Sequence, residues 1–387
     1  MRPDTQERLA VRRREFGSPD EYRDILYHRG IVTRILLNRP RYMNALSHPM
    51  WAEIEDAFDR AARDPRCRVI VLSGNGPCFS AGDDVIGMSP DGAPVLADRR
   101  RPEELITSYG SEDRVWDEYN IEHDYFITWL PLHKLRTCPK PTVAAVHGWC
   151  IFAGVLLSQA MDVVFASADA LFRVPAELGV VSDWGLWHLG RHKIMELALE
   201  PRFITARESA ELGLVNRVFP DRETLERETL FFAYRVAVEH PERLRIAKRN
   251  VLQFLDLQGY TTVLQWMRFP YEELWRLWAR LGSWHRYQGA GIARAPIALR
   301  NLVAALRGKG ETVPPAIEET LRRWQHRDFA KEWEEALSQP WRDQARIERA
   351  RRRREEYEQT RDEFRQEVSA ELRERGIDWF SLQDLGL

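Results

Sequence analysis

The chain has 387 residues, 44% hydrophobic and 30% charged, with a formal net charge of -2. That length suits one large domain plus an appendage, and the apolar fraction supports a sizeable core, which excludes wholesale disorder. Near-neutrality gives no electrostatic reason to count nucleic acid or an anionic membrane among the partners. Cys67, Cys78, Cys138 and Cys150 are scattered with no Cys-x-x-Cys pair, so free thiols in a reducing, cytoplasmic compartment are expected. The N-terminus has no apolar stretch and no run of about 18 apolar residues occurs, so neither a signal peptide nor a membrane span is expected.

Residues 1–27 are charged and read as a short arm. Residues 31–37 read as a strand that stops at Arg39-Pro40. Residues 50–62 have helical spacing, with Trp51, Ile54, Ala57, Phe58 and Ala61 on one face. Residues 69–73 form a short apolar strand, ended by Gly74-Asn75-Gly76-Pro77. Residues 87–137 begin as a loop and become aromatic and helical. Residues 142–146 predict a buried strand, residues 153–160 a helix, and residues 163–166 a further strand. This alternation indicates an α/β fold of successive β-β-α turns. Residues 221–260 read as helical. From residue 261 the chain is rich in Trp, Arg and Glu; eight of its fourteen tryptophans lie there, so this region should pack as a mostly helical extension. Within it, Arg351-Arg352-Arg353-Arg354 is followed by acids, as on a solvated helix with ion pairs between successive turns.

Three stretches carry the chemistry. The first is Asn38-Arg39-Pro40 with Asn44-Ala45-Leu46. The second runs Gly74-Asn75-Gly76-Pro77-Cys78-Phe79-Ser80-Ala81-Gly82-Asp83-Asp84-Val85. The third is Lys140-Pro141-Thr142-Val143-Ala144-Ala145-Val146-His147-Gly148, continuing to Phe152-Ala153-Gly154 and Met161-Asp162. A Gly-rich bend after a strand and a helix start both leave backbone N–H groups without partners. Two such sites facing each other would hold a carbonyl oxygen and stabilise an enolate formed from it. No histidine spacing suggests a metal site, and His123, His133, His147 and His188 read as structural or surface residues.

In their order and spacing these motifs resemble the crotonase (enoyl-CoA hydratase/isomerase) superfamily over roughly residues 28–255. The resemblance implies a ββα spiral core over residues 28–220, subunit contacts from residues 221–260 in a homotrimer or a dimer of trimers, and a helical extension over residues 261–387. It implies an acyl-CoA thioester as substrate, with coenzyme A entering as part of that substrate and no other cofactor. It places the oxyanion hole at the backbone N–H groups of Asp83 and Ala153. It places the CoA path along Ala45, Ala81, Asp83, Asp84, Val85 and Ile86, with Lys248 near the CoA phosphates; as a residue, Lys248 also reads as an ordinary helix-surface lysine.

The departures from the family matter equally. The family's three glycines are here Phe152-Ala153-Gly154, and Ala153 keeps its N–H if its backbone angles are ordinary. The glutamate three residues after the hole is replaced by Leu156. The second glutamate position is Ala176, with Glu177 next to it in a loop one residue shorter than usual. Asp183 stands where relatives similar to dienoyl-CoA isomerases and aryl-CoA dehalogenases carry an aspartate. It and Glu177 are therefore the catalytic candidates; the other reading of Asp183 is a turn or helix N-cap. Isomerisation or hydration of an unsaturated, bulky or cyclic acyl-CoA is expected first. Hydrolytic or dehalogenase-like chemistry through Asp183, or a catalytically silent CoA-ester-binding scaffold, are the alternatives.

Overall fold

The computed structural model describes residues 22–84, 130–174, 189–262 and 284–325, with a few single positions beyond residue 350. The chain divides into two compact units, Met1–Tyr271 and Glu272–Leu387.

In the first unit the strands are β1 (Ile25–His28), β2 (Val32–Leu37), β3 (Val69–Gly74), β4 (Thr142–Val146), β5 (Trp149–Ile151), β6 (Val163–Ser167), β7 (Leu171–Arg173), β8 (Ile204–Thr205) and β9 (Arg217–Phe219). The helices are α1 (His48–Arg63), α2 (Leu130–Arg136), α3 (Ala153–Gln159), α4 (Gly190–Leu199), α5 (Ala206–Glu211), α6 (Arg222–Ala237) and α7 (Pro241–Leu257). One sheet has the order β1-β2-β3-β4-β6-β9 and a smaller one the order β5-β7-β8. From β2 to β9 the large sheet is parallel, and β1 adds an antiparallel edge that begins within the stretch 1–27 expected to be an arm.

The spiral follows from how the chain visits the two sheets. It lays β4 in the large sheet, β5 in the small one, and returns through α3. The next turn repeats this with β6 and β7. The turn that starts at β3 contributes Ser80, which bridges in parallel to Cys150 of β5. Thr142-Val143-Ala144-Ala145-Val146 is buried along its whole length, as a strand covered on both faces must be. Side-chain alternation then sorts the residues. Val69, Val71, Val143 and Ala145 join Leu225, Ala233 and Ala237 under α6, whereas Ile70, Leu72, Ala144 and Val146 face the main core.

Helix α1 starts at Ser47, whose Oγ accepts from the Met50 N–H (3.3 Å). Its predicted face is buried: Trp51, Ile54, Ala57, Phe58 and Ala61 are all 3% exposed or less. Burying each of the larger of these side chains stabilises the fold by about 1.5–3 kcal/mol. In the second unit, helices α8 (Trp284–Gly308) and α9 (Pro315–Gln325) pack together, burying Leu299, Leu302, Leu306 and Ile317. Among the described residues no helix is long and apolar enough to cross a membrane.

Candidate active site

The segment after β3 is threaded between residues 43–46 on one side and β5 on the other. The Phe79 N–H donates to the His147 carbonyl (2.8 Å), the Ser80 N–H to that of Trp149 (3.0 Å), and the Ile151 N–H to that of Ser80 (3.0 Å). Opposite, the Ala81 N–H donates to the Met43 carbonyl (2.9 Å), the Leu46 N–H to that of Gly82 (2.7 Å), and the Asp84 N–H to that of Leu46 (3.0 Å). Buried side chains lock this path. Asn44 Nδ2 donates to the carbonyls of Asn75 and Cys78, both at 2.8 Å, and Asn44 Oδ1 accepts from the Arg39 N–H (2.8 Å). Ser80 Oγ donates to the Asn44 carbonyl (2.8 Å) and accepts from the Gly82 N–H (3.1 Å). Burial holds the His147 imidazole below its ordinary pKa, which favours the neutral ring, and its Nε2 lies 3.0 Å from the Gly76 carbonyl oxygen.

The Asp83 N–H of this segment has no main-chain acceptor among the described residues. It donates to Asp83's own carboxylate. Across from it, the Val155 and Leu156 N–H groups donate to the Phe152 carbonyl (2.8 and 3.1 Å), and the Ala153 N–H has no acceptor among the described residues. The two segments touch. Gly82 has φ 91°, and a methyl group there would fall 2.8 Å from the Ile151 carbonyl oxygen and 3.3 Å from Phe152 Cβ. Only glycine permits that approach, which sets the backbone just before Asp83 against the backbone just before Ala153.

Asp83 is solvent-exposed in surface area, yet the protein mass around it pushes its carboxyl up to about 6, with Asp84 adding to the rise. Asp84 is committed elsewhere, in a buried ion pair with Arg39 (2.9 Å). Removing one partner of such a pair costs about 3–5 kcal/mol, so Asp84 serves the fold. The Ala45 carbonyl accepts from Arg39 Nη1 (2.6 Å). Lys248 Nζ donates to Asp162 Oδ2 (2.8 Å) and to the Lys140 carbonyl (3.1 Å). The same Asp162 oxygen accepts from Thr142 N–H and Oγ1. The ammonium thus ties α7 to the ends of β4 and β6.

Leu156 lies three residues into α3, 6% exposed and part of the main core. Glu177, Asp183, Val85 and Ile86, and with them His123 and His188, lie outside the described residues. His133 sits on α2, where burial lowers its pKa.

The sequence reading attached the conformational question to Ala153. The structure attaches it to Phe152, which has φ 45° and ψ -110°, while Ala153 is an ordinary helical residue. The signal was there in outline: a bulky side chain stands in a run that the family fills with glycine.

Similarity to known proteins agrees with this architecture. A family model described as enoyl-CoA hydratase/isomerase matches residues 32–231. The human mitochondrial Delta(3,5)-Delta(2,4)-dienoyl-CoA isomerase is 32% identical over 237 residues, 58% of this chain and 66% of that protein. The peroxisomal enzyme of the same name from Arabidopsis thaliana is 28% identical over 61% of this chain and 83% of its own length. The solved structure of an enoyl-CoA hydratase/isomerase from Xanthobacter autotrophicus Py2 superposes with a TM-score of 0.54 at 28% identity, covering 66% of this chain and 88% of that one. The chain belongs to the enoyl-CoA hydratase/isomerase family and has its crotonase fold.

Proposed function

We propose that this protein shifts a double bond in an unsaturated acyl-CoA, with isomerisation favoured over hydration. The observation that supports the reading is the contact of Gly82 with Ile151 and Phe152, the residues that precede the Asp83 and Ala153 N–H groups, together with a Leu156 that has no proton to move. A thioester oxygen accepting from both would be stabilised as the enolate develops. The names of the human and Arabidopsis relatives describe double bonds moving from positions 3,5 to 2,4. In that reaction one proton leaves carbon 2 and one returns at carbon 6, so atoms balance without water. A single carboxylate can carry the proton, and Asp183 is assigned that role, with Glu177 as its neighbour in reserve. Coenzyme A runs along Ala45, Ala81 and residues 83–86, and the charged groups of Asp84 and Lys248 have internal partners. No further cofactor is required, and the reaction is assigned to the cytoplasm.

The test is turnover of a panel of acyl-CoA esters. A 3,5-dienoyl-CoA should gain the absorbance of a 2,4-diene conjugated to the thioester. Binding of the panel without turnover of any member would replace this reading with that of a CoA-ester scaffold.

The active form is proposed to be a homotrimer or a dimer of trimers. Its contacts would use the outer face of α7, where Val251, Phe254 and Leu257 recur every three residues and are 60%, 70% and 83% exposed. Sedimentation at micromolar concentration should give a trimer or hexamer; a stable monomer rules the assembly out.

A further inference from the structure

Phe152 stands in a backbone conformation that is essentially glycine's, with φ 45° and ψ -110°. Strain of this kind lowers the population of such a state roughly 5- to 150-fold unless the surroundings enforce it. Here they do. The Phe152 N–H donates to the Arg173 carbonyl (3.0 Å), and the Phe152 carbonyl receives the first two N–H groups of α3 that find an acceptor. Its ring lies against the guanidinium of Arg173, 5.2 Å from the ring centroid. Arg173 is buried, and its guanidinium also lies 5.8 Å from the Phe203 ring centroid. Phe203 in turn packs edge-on to Trp149 of β5 (5.1 Å). The stack Phe152, Arg173, Phe203, Trp149 thus anchors the strained residue to the small sheet.

We infer that Phe152, clamped by Arg173, is the positioning residue that aims the Ala153 N–H at the thioester oxygen. A cation–aromatic contact does here what a glycine does through conformational freedom alone. The inference rests on the two-donor reading proposed above, and it concerns how one donor is held rather than which groups touch the substrate.

The test compares two substitutions of the same residue. Phe152→Ala removes the ring but keeps the Cβ that makes the conformation costly, whereas Phe152→Gly removes both. The probe is cinnamoyl-CoA, whose ring-conjugated carbonyl absorbs at longer wavelength when hydrogen bonds polarise it. The parent should show this red shift on binding. Phe152→Ala should lose more than about half of it, and Phe152→Gly should retain clearly more than Phe152→Ala, with Kd for the three proteins within about threefold, since most of the ester's contacts lie elsewhere. Arg173→Met should behave like Phe152→Ala, and adding Phe152→Gly to it should restore part of the shift. If Arg173→Met fails to fold, the Phe152 pair decides alone. Equal shifts in Phe152→Ala and Phe152→Gly, with the parent shifted, would overturn the inference and leave the two-donor reading intact. No shift in the parent would remove the two-donor reading and this inference with it.

Discussion

Asp183→Asn is expected to lower kcat by about 10²-fold or more while leaving affinity for the CoA ester nearly unchanged. An enzyme that makes a thioester enolate needs a hole for the oxygen and a group that carries the proton. The hole residues are untouched by this substitution, and asparagine keeps the shape of aspartate while removing the proton-carrying oxygen. The rival role of Asp183 is that of a turn or helix N-cap. Steady-state kinetics on a dienoyl-CoA, with Kd for a non-reacting CoA ester alongside, separate the two roles. Activity within a few-fold of the parent would pass the proton to Glu177, with Glu177→Gln as the next variant. If both variants stayed active, a carboxylate mechanism would have to be given up.

Hydration of crotonyl-CoA is expected to run about 10²–10⁴-fold below the rate of a hydratase with both glutamates, the range that one general acid–base group supplies. Hydration activates a water and protonates a carbon, and the first of the family's two positions for this work is Leu156. Its side chain belongs to the core, with only 6% of the residue exposed. For that reason Leu156→Glu is not expected to restore hydration by itself. It would bury a carboxylate among apolar neighbours, where it would cost stability and be held neutral. The check is a direct assay of crotonyl-CoA hydration beside isomerisation of a dienoyl ester. Hydration rivalling that of ordinary hydratases would show that the remaining carboxylates and water suffice, and would reverse the preference for isomerisation.

The sequence by itself determined four strands of the large sheet, β2, β3, β4 and β6, the helices α1 and α3, and the family resemblance. The reason is that these are written in local patterns. Thr142-Val143-Ala144-Ala145-Val146 has no polar alternation, so it had to be a strand covered on both faces. The spacing of Trp51, Ile54, Ala57, Phe58 and Ala61 fixed the buried face of α1, and all five are buried. The glycines and small residues marked where backbone would be left open. Tertiary structure alone decided which of those groups meet. Whether the Asp83 and Ala153 N–H groups share a site depends on Gly82 touching Ile151 and Phe152, residues about seventy positions away in the chain. The partners of charged residues were hidden for the same reason. Nothing local marks Lys248 as the mate of Asp162, or Arg39 as the mate of Asp84. The strain at Phe152 was marked only in outline by a bulky residue in a glycine run, because what holds it is a carbonyl and a guanidinium supplied by Arg173 of β7. Local sequence sets which conformations a residue prefers, and only packing across the fold can hold a residue in one that it does not prefer.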